Sequence, residues 1–180
     1  FPTVHALASA PASSVLTVWR GMGYNRRALY LKRAAETLVR DYEGKFPDSE
    51  SLLLKLPGLG KYTARAIMVF AFEKNVGMVD TNIRHILTHF LFNGKSQKEK
   101  VIEEVADLVV PHGRSWEWHQ ALMDYGALAM TKEKKKMGLT KKQSLFKDSR
   151  RYYRGRIVDV LRVGPQKKAR LIADFSKQYG

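Results

Sequence analysis

The residues best equipped for chemistry fall within one stretch, Leu56 to Asn82, LPGLGKYTARAIMVFAFEKNVGMVDTN. Its opening, Leu56-Pro57-Gly58-Leu59-Gly60, reads as a tight hairpin. Pro57 fixes its own φ, while Gly58 and Gly60 allow positive φ and the close approach of a foreign backbone. A helix starting at about Lys61 would aim its unpaired N–H groups and positive dipole end over that hairpin, an arrangement suited to a phosphate. A lone carboxylate, Asp80, then arrives after an apolar run and just before a new helix. It can act as a fixed negative charge in a chemical step or as an N-cap, and the two roles are compatible. His85 and His89 stand at i and i+4 in the following helix and could ligate a metal from one face. No third ligand has matching spacing, so they read as surface histidines.

Charge narrows the partners. The 32 Lys and Arg against 17 Asp and Glu leave a net charge of +15. The last 50 positions hold 16 of those basic and 4 of those acidic groups, so +12 of the excess sits there. Such a footprint favours a polyanion and makes affinity salt-dependent. No apolar run is long enough to span a bilayer and no signal peptide is evident, which argues against a membrane partner. With no cysteine in the chain, disulfides, a thiolate nucleophile and cysteine-ligated metal are excluded. That composition fits a reducing, cytoplasmic setting.

Helical elements must position these residues. Residues 3–9 and 12–20 read as short helices split by Pro11, with Ala8, Val15, Leu16 and Trp19 as core. Gly21 to Asn25 is a loop. A long helix over 26–42 carries apolar Leu29, Leu31, Ala34, Leu38 and Val39 and stops at Gly44. Asp48 or Ser49 caps a short helix, 49–55, that leads into the hairpin. Residues 61–72 are apolar almost all round, as in a buried central helix. From Thr81 to Phe92, apolar residues recur at i, i+3, i+4, i+7 and i+8. Ser96 with Glu99 suggests a capping box for a helix over 96–109 that ends at Pro111. Ser115 caps a helix over 116–129, on which Trp116 and Trp118 pack in the core or at its edge. After the charge run Lys132 to Lys136, Asp148 caps a helix over 149–163, and a last helix covers 166–178. Nothing alternates with period two over any length, so the fold class is all-α.

LPGLGKYTARAI followed by VDTN resembles the helix-hairpin-helix DNA glycosylase superfamily. Further matches at FPTVHALASAP, WRGMGYNRRAL, GKFP and ALMDYGALAMT extend the likeness over residues 1–131, towards the branch that removes adenine from A/G mismatches. The resemblance implies a helical barrel-type domain and an iron–sulfur-type domain lacking its cluster, followed by a basic helical extension. The expected segments are a junction over 1–20, a six-helix barrel-like domain over 21–112 with the helix-hairpin-helix at 49–72, a former cluster domain over 113–146, and the extension over 147–180. It also places Asp80 at the catalytic aspartate. Tyr62 occupies the position where strand-cutting members carry a Schiff-base lysine; a phenol cannot form that bond, so the implied reaction stops at an abasic site. Core packing is the competing role for Tyr62. Asn82 matches a residue that helps hold the site, against a role in capping or simple exposure. Tyr24 matches an aromatic wedge, against packing on its own domain; Asn25 departs from a second tyrosine there. Arg26, Leu56, Gly58, Gly60, Lys61 and Thr63 are the expected DNA contacts, with Asp124 structural.

Two departures stand out. Where relatives place four cluster cysteines, this chain has Met130, Met137, Thr140 and Phe146, so no iron–sulfur cluster is expected and apolar packing takes its place. The hairpin remains a candidate seat for a monovalent cation. The family's first helices, with a glutamate that protonates the departing base, would precede Phe1, and its large domain reading 8-oxoguanine is replaced by the basic segment containing RRYYRGRIVDVLR. The expected partner is double-stranded DNA with a mismatched or damaged base, bound by a monomer associated with the nucleoid. The leading expectation is a monofunctional glycosylase of base excision repair acting on adenine opposite 8-oxoguanine or guanine. A thymine or uracil mismatch glycosylase is the nearer alternative, and a non-catalytic DNA-binding protein or an RNA-binding helical domain the more distant ones.

Overall fold

The computed structural model describes residues 1–130 and 145–179. Among them every regular element is helical: α1 (Val4–Ser9), α2 (Ala12–Val18), α3 (Arg26–Tyr42), α4 (Glu50–Leu53), α5 (Lys61–Phe72), α6 (Thr81–Leu91), α7 (Glu99–Leu108), α8 (Ser115–Leu128), α9 (Arg150–Val163) and α10 (Lys168–Tyr179). The described residues fall into two compact units, one holding 1–9 and 30–130, the other 10–29 and 145–179. This grouping differs from the four consecutive segments expected, because 10–29 joins the C-terminal helices. Lys132 to Lys136, Met137 and Thr140 lie outside the described residues.

Two apolar clusters hold the first unit. Ala34 and Leu38 of α3 meet Leu53, Leu56, Ala64 and Met68 in one; Met78 meets Ile83, Leu87, Ile102 and Ala106 in the other. Each fully buried leucine or isoleucine contributes about 1.5–3 kcal/mol relative to exposure. Helix α3 ends as its sequence predicts: Glu43 and Gly44 turn left-handed, and the Gly44 amide donates to the Leu38 carbonyl at 2.9 Å. Helices α6 and α8 pack closely because Gly126 has no side chain. A Cβ there would lie 2.8 Å from that of Asn82.

Several caps are not the ones expected. Helix α7 starts at Glu99 with Lys98 at its N-cap and no side-chain capping bond, so the Ser96–Glu99 box does not form; Glu99 pairs with Arg84 instead. Ser115 is the first residue of α8 rather than its cap, and it is buried with its hydroxyl turned to the Val76 carbonyl. Ser149, not Asp148, caps α9, accepting from the Tyr152 amide, while Asp148 takes the Tyr153 hydroxyl. Ser149 offers α9 its hydroxyl because Asp148 sits in a left-handed conformation just before it. Asp48 pairs with Lys74, and α4 has Ser49 at its N-cap without a side-chain bond. Leu31 is exposed; small Ala28, Ala34 and Ala35 form the buried face of α3 with Leu38. His85 and His89 are half-buried rather than fully exposed.

Candidate active site and nucleic-acid interface

The hairpin forms as the glycines require. Gly58 has φ +83°, and a Cβ on it would stand 2.4 Å from the Cβ of Tyr30, so conformation and space both demand glycine. Gly60 is extended and serves as the N-cap residue of α5, with open space around its Cα. Gly58, Gly60, Lys61, Tyr62 and Thr63 are all exposed at this end of α5. Leu56 is not: it is 2% exposed, so its side chain belongs to the core and only its backbone remains for an external contact. Lys61 does not project freely, because its ammonium lies 2.7 Å from Glu103.

Asp80 caps α6. Its carboxylate accepts the Ile83 amide at 2.7 Å, and the residue is half-buried with its backbone extended. The same carboxylate acts on Tyr62. Partial burial, and then the Asp80 charge, hold the phenol above its ordinary pKa. The head of α5 and the lone acid therefore share one local environment, and the phenol stays protonated at neutral pH. Asn82 is the second residue of α6 and lies against Gly126 of α8.

The segment delivering Asp80 has an unusual mount. Residues 76–79 belong to no helix or strand, so their backbone groups need other partners. The Gly77 amide donates to Asp107 at 2.7 Å, and the Gly77 carbonyl accepts from Arg65 at 2.7 Å. Arg65 also bonds Asp107 at 2.8 Å and Glu50 at 3.1 Å. Burial pulls the Arg65 pKa down, but Asp107 and Glu50 more than offset it and leave it raised. The Met78 amide donates to His119 Nε2 at 2.9 Å, and His119 Nδ1–H donates to the Ser115 carbonyl at 2.7 Å. Burial lowers the His119 pKa, against smaller opposing effects of that carbonyl bond and Asp107, so the ring is neutral at pH 7. Gly77 is compulsory here, since a Cβ would lie 2.4 Å from the Ala106 carbonyl carbon.

Sequence reasoning missed Arg65, Gly77, Asp107, Ser115 and His119. They come from three helices and a loop, and no spacing rule joins them. The nearest sequence signal is Gly77 itself, a glycine inside the short apolar run before Asp80. Among the described residues no group of three His, Cys, Asp or Glu could hold a metal, and none joins His85 and His89.

In the second unit, Tyr24 stands at the tip of the 21–25 loop, 79% exposed and left-handed at φ 48°. It is presented, not packed away. Arg27 stacks over both Tyr24 and Trp19, and the Trp19 ring N–H donates to the Gly23 carbonyl at 2.8 Å. Arg26 is exposed beside it. Arg162 of α9 fastens the loop, donating to the Leu16 carbonyl at 2.9 Å and to Asn25 at 3.1 Å while paired with Asp159. Exposed Arg150, Arg151, Arg154 and Arg156 make α9 strongly basic. Met130, at the first expected cluster position, is buried, and Phe146, at the fourth, packs edge-on against Tyr152.

An exposed glycine hairpin opening a helix, with an N-capping acid whose charge reaches Tyr62 in that helix's first turn, is the arrangement of a helix-hairpin-helix protein. The family model for HhH-GPD superfamily base excision DNA repair proteins matches residues 1–111, and the chain belongs to that family. It is 33% identical over 149 residues to an adenine DNA glycosylase of Buchnera aphidicola, covering 82% of this chain and 42% of that one. It is 32% identical over 186 residues to an adenine DNA glycosylase of Mycobacterium tuberculosis, covering 90% of this chain and 61% of the relative. Among solved structures, a thermostable thymine-DNA glycosylase superposes with a TM-score of 0.66 at 30% identity, covering 71% of this chain and 61% of that chain. The chain thus spans between two fifths and two thirds of the length of these relatives.

Proposed function

We propose that this chain is the core of a monofunctional DNA glycosylase that hydrolyses the N-glycosidic bond of a flipped, mispaired base, adenine opposite 8-oxoguanine or guanine. The observation that carries the reading is Asp80, anchored on α6 with its charge felt by Tyr62 at the head of the hairpin helix. As the bond from C1′ to the base nitrogen breaks, the sugar gains oxocarbenium character; a carboxylate held beside it lowers that barrier without moving. Water then supplies hydroxide to C1′, and the base leaves with a proton. Tyr62 offers no amine, so no Schiff base forms and the strand stays intact. Gly58, Gly60 and the amides at the start of α5 would seat the phosphate backbone, and exposed Tyr24 would enter the stack beside the flipped base.

Adenine is favoured by the names of the relatives that cover most of the chain. A second reading, thymine or uracil opposite guanine, is supported by the likeness to the thymine-DNA glycosylase. No cysteine is present in these 180 residues, so a four-cysteine cluster does not fit them, and no step runs through one. The protein is proposed to act as a monomer on nucleoid DNA; no helix among the described residues is long and apolar enough to cross a membrane.

The test uses duplexes carrying A·8-oxoG, T·G and U·G, with alkali added afterwards to reveal abasic sites. Excision of adenine without cleavage before alkali is expected. Asp80→Asn should lower the single-turnover rate by at least about 100-fold while binding is kept. Strand cleavage before alkali would end the monofunctional assignment. Undiminished excision by Asp80→Asn would end the assignment of catalysis to that acid.

A further inference from the structure

A buried imidazole is an expensive way to fill space unless both nitrogens are used. His119 is 1% exposed, and both are used. The Met78 amide can only donate, so Nε2 carries the lone pair and Nδ1 the hydrogen, which meets the Ser115 carbonyl within the same helix. This fixes the tautomer and the ring plane. The Met78 amide has no strand partner among the described residues, and its residue is fully buried, so without the imidazole it would be an orphaned donor.

What that bond controls lies two residues further on. Only Val79 separates Met78 from Asp80, so a shift at Met78 is passed to the acid through two planar peptide units. The acid is then tied at its other end by the Ile83 amide. It is thus strung between two fixed points, the imidazole on α8 and the first turn of α6. The clamp on Gly77 by Arg65 of α5 and Asp107 of α7 stops the segment from sliding but does not touch Met78 or Asp80.

We propose that His119 is a positioning residue for excision, setting the placement of the Asp80 carboxylate beside Tyr62 through its bond to the Met78 amide. It touches neither sugar nor base. The inference rests on the reading that Asp80 acts in the excision step, and it adds a residue outside the hairpin and the acid.

Two substitutions separate placement from packing. His119→Gln puts an acceptor oxygen near the Nε2 position, whereas His119→Asn keeps a donor for Ser115 and has nothing to reach Met78. The full chain and both variants would be compared for single-turnover excision, affinity for the same duplex, and exchange of the Met78 amide by NMR. A misplacement on the order of 1 Å costs about 100-fold in rate, so His119→Asn should slow excision to that degree. Affinity should stay within a few-fold, Met78 exchange should accelerate, and His119→Gln should recover most of both losses. Equal excision by His119→Asn and wild type, with Met78 exchange accelerated, would overturn the proposal. So would equal damage by both variants with affinity falling in step. Should His119→Asn not fold, 15N shifts of the wild-type imidazole decide: a proton on Nε2 overturns the assignment. If Asp80→Asn excises normally, the functional reading fails and this inference with it. Undisturbed excision in His119→Asn beside an inactive Asp80→Asn removes the inference alone.

Discussion

The loop segment ending at Asp80 and the helices α9 and α10 are held by opposite means. In the first, Gly77 and Met78 are buried and their polar backbone groups are taken by side chains from α5, α7 and α8. In the second, α9 has no fully buried residue, its apolar Val163 and Leu161 face outward, and one arginine fork ties it to Leu16 of α2 and to Asn25 of the 21–25 loop. A mount built from buried hydrogen bonds has one geometry, since each group left unpaired costs free energy. A basic, open surface can adapt to a polyanion whose shape changes on binding. The contrast suits the proposed excision, which calls for one rigid charge and a wide, yielding grip.

Glycine substitution should break this comparison most sharply. Gly77→Ala drives a Cβ to 2.4 Å from the Ala106 carbonyl carbon and 2.6 Å from the Asp107 nitrogen, both backbone atoms that cannot swing aside. A loss of about 3 kcal/mol is expected by urea denaturation, at the upper end of overpacking costs. Gly155→Ala in α9 meets nothing within 4 Å and sits in a helix interior. It should gain about 0.5–1 kcal/mol. If both changes destabilised equally, the two regions would not differ in tolerance as described.

The same contrast explains what could be read from the chain alone. Helix α6 was legible because its apolar spacing follows one face, α5 because it is apolar almost all round, and α3 runs from Arg26 to Tyr42 as expected. The hairpin and Asp80 were legible because glycine conformation and N-capping are local. Caps at Ser96, Ser115 and Asp148 were misassigned where a long-range partner or a neighbouring cap competed: Val76 took the Ser115 hydroxyl, and Ser149 displaced Asp148. The mount of Asp80 was invisible because it joins residues about 10 to 40 positions apart through buried side chains. Only three-dimensional proximity defines it, and neither propensity nor periodicity carries that information.

Arg162→Ala comes next in expected size. It removes a side chain only 9% exposed, with its donors to Leu16 and Asn25, and leaves Asp159 without its partner. Hydrogen bonds from a charged donor contribute about 1.5–3 kcal/mol, so roughly 2 kcal/mol should be lost from the unit that carries Tyr24. Arg162→Lys should recover only part, because an ammonium cannot span both acceptors. Duplex affinity should fall in both variants while the single-turnover rate at saturation holds.

Acid should act on the first region before the second. The His119 pKa is lowered in the folded chain, chiefly by burial, with Asp107 of α7 and the Ser115 carbonyl opposing. The stabilisation from keeping the ring neutral is present above the unfolded value of about 6.5. It is lost as pH falls from there through the folded pKa. Below that, Nε2 is protonated and cannot accept from Met78. His119→Gln should flatten stability over this window, measured as urea midpoints at successive pH values. Arg65, its pKa raised by Asp107 and Glu50, keeps its charge across this window and should not contribute to the slope.

The smallest effect on folding should come from Glu103→Gln, and it tests whether the hairpin helix uses its lysine. Lys61 opens α5, where a cation opposes the positive end of the dipole, and Glu103 offsets it at 2.7 Å. The pair is partly exposed, so losing it should change stability by no more than about 1 kcal/mol. Binding should respond in the other direction. A lysine released from Glu103 is free for phosphate, which would tighten the duplex at low salt and steepen the dependence of log K on log salt by about one unit. Lys61→Gln should make that slope shallower by a similar amount only if the lysine leaves Glu103 on binding. An unchanged slope in both variants would place Lys61 with Glu103 in the bound state too, leaving the amides of the hairpin and the start of α5 as the phosphate seat.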